Sequence, residues 1–330
     1  MTDQGTAKFD RGYAKQYDAL SGDIRAYEAF AKTLAGRLLD HMPNAKEVLE
    51  IGTGTGNSAL VLLESAPFLE QVYGMEIEDF ILLARAKQKN AVSRLFSPQR
   101  SPAYSREVQE RLQAHKHKLH LIKARGEAIP IKDGTVDAVF MNQVFHWLNA
   151  EEALREIGRV LKPDGLLVFD ESEFQFDFGD TVEGRQIKKE QIVDHPFIKL
   201  FQKIFNQELE QQGIVVDVKP FQYLFTLDTL RALLEKNGFE IVPNSAGDPY
   251  TITTVRYNLT QVMSFAEKGA RMRIMRQMPD LLKMPGLVDK IVAAAMRKTK
   301  REWSKLPHRD EGLYGPSQAA FVARKIVHTA

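Results

Sequence analysis

The stretch that decides the fold is residues 46–63, KEVLEIGTGTGNSALVLL. Its apolar run of Val48, Leu49 and Ile51 is short and ends at glycines, which is the pattern of a buried strand. From Asn57 onward the apolar residues recur at helical spacing. The glycine cluster therefore lies at a turn from a strand into a helix.

Strand and helix patterns alternate through the following part of the chain. Further strands are predicted at 71–76, 119–123, 136–141, 166–170 and 250–257, and helices at 80–89, 150–161 and 229–236. Alternation of this kind favours an α/β fold, a doubly wound parallel sheet with helices on both faces.

Two long stretches and the C-terminal part do not fit this alternation. Residues 90–117 include SPQRSPAYS, which is typical of a loop. Residues 172–224 contain a helix with one apolar face, formed by Phe197, Leu200, Phe201, Ile204 and Phe205. Residues 258–330 have a mostly helical pattern. We interpret these parts as additions that partly cover the active site of a core domain.

The glycines have the spacing of a nucleotide-binding turn. Gly52, Gly54 and Gly56 form G-x-G-x-G, whereas the dinucleotide fingerprint would need glycine in place of Asn57. Bare backbone at such a turn lets a ligand approach closely, and the following helix N-terminus adds N–H donors. Glu76 lies 20 residues beyond Gly56, at the end of the next strand, where a carboxylate can accept hydrogen bonds from both hydroxyls of a ribose.

The motifs resemble those of the class I S-adenosylmethionine-dependent methyltransferases of the small-molecule group. The matching stretches are LEIGTGTGN, VYGMEIEDF, KARGEAIPIKDGTVDAVFMNQVFHWL and EEALREIGRVLKPDGLLVFDE. The resemblance covers residues 45–171 and, more weakly, 226–257. It implies a Rossmann-like sheet of seven strands with S-adenosyl-L-methionine as cofactor. The segment between Glu76 and Glu127 is longer than is usual for the family, and the part beyond Tyr257 matches no family element.

The sequence patterns and the resemblance together predict a division of the chain, and the resemblance implies a set of site residues. The expected parts are an N-terminal helical segment closing over the cofactor (1–45), the cofactor-binding core (46–171), a helical cap insertion (172–224), the end of the core sheet (225–257) and a C-terminal helical extension (258–330). The implied cofactor-binding residues are Tyr17, Glu50, Gly52, Thr53, Gly54, Gly56, Glu76, Ile77, Arg125, Gly126, Glu127, Asn142 and Gln143. Tyr13 is an alternative to Tyr17 for closing over the methionine end.

His146 is the candidate catalytic residue, since the resemblance places it facing the methyl acceptor. A base is needed only where the acceptor must lose a proton, and histidine accepts protons near neutral pH. The alternative is a histidine that packs on Trp147 and shapes the pocket. Both interpretations remain open from the sequence.

Composition excludes several other chemistries. The chain has no cysteine, which excludes disulfides, cysteine-ligated zinc and cytosine C5 methylation by a thiolate nucleophile. NQVFHW lacks the prolines of the exocyclic-amine methyltransferases. The basic run holding His115, His117 and His120 disfavours a metal site, so we expect none. The N-terminus lacks a secretory pattern, and no apolar run is long enough to span a bilayer, so a cytoplasmic protein is expected.

The net charge of +2 conceals two basic segments. Residues 84–125 hold eleven Lys and Arg against two acidic residues, and residues 268–309 hold twelve against three. Such runs are either solvated faces or surfaces for an anionic partner.

We therefore predict methyl transfer to an oxygen or carbon of a small, anionic or amphipathic molecule. The alternatives are an RNA or protein methyltransferase that uses these basic segments, with nucleic acid the less favoured partner, and a non-catalytic module that binds S-adenosylmethionine. The sequence does not predict an oligomeric state.

Overall fold

The computed structural model describes ten stretches of the chain. These are residues 24–77, 80–82, 84–85, 114–171, 181–182, 185–186, 196–214, 225–257, 259–306 and 313–326. They divide into two compact units, which we call the sheet unit (23–187, 223–253 and 318–330) and the helical unit (1–22, 188–222 and 254–317). Within the described residues, no helix has the length and hydropathy needed to cross a membrane.

The sheet unit is built around one mixed sheet. Its strands are β1 (Glu47–Ile51), β2 (Gln71–Glu76), β3 (Leu119–Lys123), β4 (Val136–Met141), β5 (Leu161–Glu171), β8 (Phe239–Ile241), β9 (Thr251–Tyr257) and β10 (Leu313–Lys325), and a separate two-stranded pair is formed by β6 (Thr181–Val182) and β7 (Arg185–Gln186). The order is β3-β2-β1-β4-β5-β10-β8, with β9 paired to β10. The first five strands are parallel and β10 is antiparallel to both neighbours. This confirms the predicted α/β class.

The helices of the sheet unit are α1 (Ile24–His41), α2 (Asn57–Ser65), α3 (Ala150–Val160) and α5 (Leu227–Lys236), with a 3₁₀ turn at Phe145–Trp147. Leu34 and Leu38 of α1 and Leu62 of α2 are fully buried in one core with the strand residues Val72 and Val168. Residues 80–82 and 84–85 are helical, in agreement with the helix predicted there. Most of the insertion predicted at 90–117 lies outside the described residues.

The C-terminal part contains a strand in addition to the helices that we expected over 258–330. Helices α6 (Leu259–Gln277) and α7 (Pro285–Trp303) occur there, but Leu313–Lys325 form β10, between β5 and β8 in the central sheet. Residues 318–323 are buried without alternation, because the strand is covered on both faces. The strand therefore lacks the alternation of apolar and polar residues that predicts a strand. Its pairing with β5 joins parts of the chain that are far apart in sequence.

The helical unit contains α4 (Pro196–Gln211), α6, α7 and a 3₁₀ turn at Pro279–Lys283. The predicted apolar face of α4 is buried at Phe197, Phe201 and Phe205, and α4 packs against both α6 and α7. Burying three phenylalanines contributes on the order of 5 kcal/mol to this packing.

Candidate functional site

Four parallel strands end at one level of the sheet. Ile51 of β1 is in register with Met75 of β2 and Met141 of β4, and Met141 is in register with Phe169 of β5. We call the row of residues that follows these four positions the carboxyl edge; its members are Gly52, Glu76, Asn142 and Asp170. The strand order reverses between β1 and β4, and ligands of open α/β sheets bind at such a switch point, beyond the carboxyl ends of the strands.

The glycine loop begins at this edge with left-handed backbone. Gly52 has a φ of +73° and Gly54 a φ of +56°. The N–H groups of Gly52 and Thr53 both donate to the Met75 carbonyl, at 2.8 and 3.1 Å, which ties the loop to β2. A Cβ on Gly52 would collide with Cγ2 of Val144, whereas a Cβ on Gly54 would meet nothing within 4 Å. Gly52 is therefore required by packing, and Gly54 leaves open space that a ligand can fill.

Replacing these two glycines with alanine separates folding from binding. Gly52→Ala is expected to lower the free energy of unfolding by about 3 kcal/mol, because left-handed strain adds to the clash with Val144. Gly54→Ala is expected to cost about 1 kcal/mol, from strain alone, while weakening cofactor binding. Urea unfolding measures the first effect and calorimetric titration the second. Equal stabilities for the two variants would contradict this assignment.

Glu76 organises the loop from the neighbouring strand. Its Oε2 accepts a hydrogen bond from Gly54 N and its Oε1 accepts one from Ile77 N, each at 2.8 Å. Burial raises the pKa of the Glu76 carboxyl, and the two backbone N–H groups oppose this by favouring its charged form. Each oxygen keeps a further acceptor site, so the carboxylate can bind a pair of adjacent hydroxyls.

Glu50 stabilises the loop internally. Its carboxylate is fully buried; Oε2 accepts a hydrogen bond from the Thr53 hydroxyl at 2.5 Å, and Oε1 accepts one from the Ser58 hydroxyl. These contacts join the end of β1 to the loop and to the first turn of α2. Desolvation raises the pKa of Glu50 to about 7, against the favourable effect of the two hydroxyls. Glu50 and Thr53 are thus brought together in a pair that positions the loop.

A pH dependence of stability follows from Glu50. Its pKa rises from 4.5 to about 7 on folding, so the native state holds a proton that the unfolded chain releases in this window. The free energy of unfolding therefore falls as the pH rises from about 4.5 to about 7. Glu50→Gln should reduce the loss of Tm between about pH 5 and about pH 8. The exposed Glu210→Gln is the matched control, and an unchanged pH profile in Glu50→Gln would refute the shift.

The residues predicted to lie beside the adenine follow β3. Ala124 N donates to the Glu76 carbonyl at 3.1 Å, which places Arg125 and Gly126 directly after this contact. Glu127 accepts a hydrogen bond from Asn149 N at 2.9 Å, and a Cβ on Gly126 would lie 3.0 Å from Leu148. The segment is thus held between β2 and the turn before α3.

Asn142 and Gln143 follow β4. Asn142 is 7% exposed, and neither its amide nitrogen nor its amide oxygen has a hydrogen-bond partner among the described residues. Buried polar atoms are rarely left unpaired, so this amide fits a ligand that offers both a donor and an acceptor. Gln143 has a φ of +61°, a strained value for a residue other than glycine, and its N–H donates to Oδ1 of Asp170 at 2.6 Å.

His146 is paired with a carboxylate that sequence reasoning missed. Its Nδ1 lies 3.1 Å from Oε1 of Glu171, and the two side chains are 8% and 0% exposed. The neighbouring Asp170 is also buried, and desolvation raises its pKa to about 7 although the Gln143 N–H favours the charged form. The available signal was an Asp-Glu pair at the carboxyl end of a predicted parallel strand.

Comparison with known proteins relates this part of the sequence to a family. A family model described as a methyltransferase domain matches residues 49–169, the range that contains Gly52, Glu76 and Asn142 of the carboxyl edge. This chain contains a class I S-adenosylmethionine-dependent methyltransferase domain. The resemblance seen in the sequence is confirmed, and S-adenosyl-L-methionine is the cofactor of the domain.

Relatives of the methyltransferase domain include malonyl-acyl-carrier-protein O-methyltransferases. The protein from Marinomonas sp. (strain MWYL1) is 29% identical over 170 residues, which is 51% of this chain and 54% of that protein. The protein from Laribacter hongkongensis is 34% identical over 167 residues, 49% of this chain and 48% of that protein. The chain thus spans about half the length of the curated relatives it matches.

Among solved structures, the phosphoethanolamine N-methyltransferase 2 of Haemonchus contortus in complex with S-adenosyl-L-methionine is 15% identical. It has a TM-score of 0.45 and covers 97% of this chain and 58% of its own.

The cofactor fits the residues that the methyltransferase domain brings together. The open space at Gly54 would let the cofactor approach the backbone closely. The two oxygens of Glu76 would bind its ribose, and the unpaired amide of Asn142 would bind a polar end group. The individual roles remain predictions. Tyr13 and Tyr17 lie outside the described residues. No cluster of metal-ligating side chains occurs in the described part of the chain.

Proposed function

We propose that the whole chain transfers a methyl group from S-adenosylmethionine to an oxygen of a small acid or hydroxy compound, with a carbon acceptor as the second possibility. The observation that carries the proposal is the buried His146–Glu171 pair beside the carboxyl edge. A base held this way is useful when the acceptor must lose a proton, as hydroxyls and carbon acids must.

Bound S-adenosylmethionine supplies a methyl group attached to a positively charged sulfur. A nucleophile attacks the methyl carbon in line with the carbon–sulfur bond, and the sulfur leaves. The residues of the chain hold the reactants in this alignment and exclude water. We assign Glu76 to a pair of ribose hydroxyls, the backbone at Gly54 to close approach, and Asn142 to the methionine end of the cofactor.

In this proposal His146 removes the acceptor proton through Nε2. Glu171 accepts a hydrogen bond from Nδ1–H, which sets the tautomer and leaves Nε2 free to take the proton. Trp147 packs obliquely against His146, with ring centroids 5.1 Å apart, and limits the freedom of the imidazole.

The relatives give the proposal its preference for oxygen. They are named as O-methyltransferases of malonyl-acyl-carrier protein, so a carboxyl oxygen is one candidate acceptor. A carboxylate is already ionised near neutral pH and needs no base. The dependence of the rate on His146 therefore distinguishes a hydroxyl or carbon acceptor from a carboxylate.

The test is acceptor-dependent formation of S-adenosylhomocysteine by the purified full chain. The panel contains hydroxy acids, phenols, dicarboxylic acids, malonyl thioesters, total RNA and acidic proteins. Turnover with a small molecule supports the proposal. Turnover with RNA that falls steeply with salt would overturn it in favour of a nucleic-acid methyltransferase. Tight cofactor binding without turnover on the whole panel would favour a non-catalytic module.

A further inference from the structure

The structure sorts nine of the twelve basic residues of segment 268–309 into two groups. The first group has partners inside the protein. Its pairs are Arg271 with Glu267 and Asp289, Arg273 with Asn206, Lys283 with Asp280, Lys298 with Glu208, Arg301 with Glu302, and Lys305 with Glu302. Much of the positive charge of this segment is therefore paired with other groups of the protein.

The second group forms one face of α7. Lys290, Arg297 and Lys300 are exposed, and none of them has an ion-pair partner among the described residues. Their spacings of seven and three residues place them on one side of the helix, over a length of about 15 Å. We call these three residues the α7 basic face.

The opposite side of α7 is anchored. Five of its residues are buried, namely Val288, Ile291, Val292, Ala295 and Thr299. Helix α7 packs against α4, and Lys298 pairs with the nearly buried Glu208. The helix that carries the basic face is therefore held in place. Binding of a partner would cost little conformational entropy of this helix.

We propose that the α7 basic face docks an acidic α-helix of a partner protein. A helix that carries carboxylates at the same spacings can pair with all three cations along its length. The nearby carboxylates do not oppose this, because Asp289 is paired with Arg271 and Glu302 with Lys305.

The composition of the face weighs against other anionic partners. Ala293 is the exposed apolar residue between Lys290 and Arg297. Lys290, Ala293, Arg297 and Lys300 thus include no large apolar side chain to insert into a lipid surface and no aromatic ring on which a nucleic-acid base could stack. Charge and helical spacing remain as its recognition features.

The experiment measures binding of a synthetic helical peptide with glutamates at spacings of seven and three, by fluorescence anisotropy with the full chain. The triple variant Lys290→Glu, Arg297→Glu, Lys300→Glu is expected to bind about tenfold or more weakly, since exposed ion pairs contribute modestly and add along a row. The control is the triple variant Lys132→Glu, Arg155→Glu, Lys199→Glu, which makes the same change of net charge at exposed sites elsewhere. It should change binding by less than about threefold.

A charge exchange completes the test. A peptide with lysines in place of the glutamates should bind the triple variant better than it binds the natural chain. Equal losses in the triple variant and its control would overturn the proposal, because they would reflect net charge alone. Stronger face-dependent binding to phosphatidylserine vesicles or to single-stranded RNA than to the peptide would also overturn it, in favour of that partner. Methyl transfer is not needed for any of these readouts, so the proposed function is tested separately.

Discussion

Replacing Glu76 with glutamine is expected to weaken S-adenosylmethionine binding by about 100-fold, or about 2.7 kcal/mol. Both carboxylate oxygens already accept a backbone N–H, from Gly54 and from Ile77. Whichever position the amide nitrogen takes, it faces one of these N–H donors, and it cannot accept a hydrogen bond from a ribose hydroxyl. Calorimetric titration with S-adenosylmethionine and S-adenosylhomocysteine measures the change.

The matched control for this prediction is Glu70→Gln, the same substitution at an exposed carboxylate that pairs with Lys46. It should leave the Kd unchanged within about twofold. Burial raises the pKa of Glu76, so binding to the natural protein should also weaken towards acidic pH, and this dependence should be lost in Glu76→Gln. Unchanged affinity in Glu76→Gln would remove Glu76 from the cofactor site.

Replacing His146 with asparagine is expected to lower kcat by about 100-fold, with cofactor affinity unchanged. Asparagine can still donate a hydrogen bond to the buried Glu171, so the fold keeps this contact while the base is lost. Glu171→Gln keeps the imidazole but removes the charge that orients it, and about a tenfold loss is expected. Steady-state rates with the acceptor found in the panel measure both effects.

The control for His146 is His117→Asn, the same change at an exposed histidine. It should keep full activity. A loss of less than about threefold in His146→Asn would contradict the role of a base and favour either a pocket wall or a carboxylate acceptor, which needs no deprotonation. Because Kd for the cofactor is measured in parallel, a general loss of structure would be distinguished from a loss of chemistry.

Local patterns in the sequence predicted the strands and the glycine loop of the part that matches the methyltransferase domain. The loop from Gly52 to Gly56 and the distance to Glu76 are set by one strand–turn–helix–strand unit, in which neighbours in sequence are neighbours in space. The resemblance to methyltransferases rested on these same stretches and was confirmed. The roles of the individual residues in cofactor binding stay predictions.

Features that depend on distant parts of the chain escaped sequence reasoning. The strand β10 lacks alternation because it is buried on both faces, and its partners β5 and β8 precede it by more than 70 residues. The pairing of His146 with Glu171 depends on the register of β4 with β5. The sequence showed His146 and the acidic end of the strand at Asp170 and Glu171, and did not show that they meet.

The basic segment 268–309 also shows what the sequence determined and what the tertiary structure decided. By itself, the sequence determined the net charge and its concentration in this segment, because charge is a property of composition. Only the tertiary structure decided which cations are used internally, because a pair such as Lys298 with Glu208 joins residues 90 positions apart. The residues of a stretch determine its charge and the helix or strand that it can form. The packing of the whole chain decides which of its charged groups stay available to a partner.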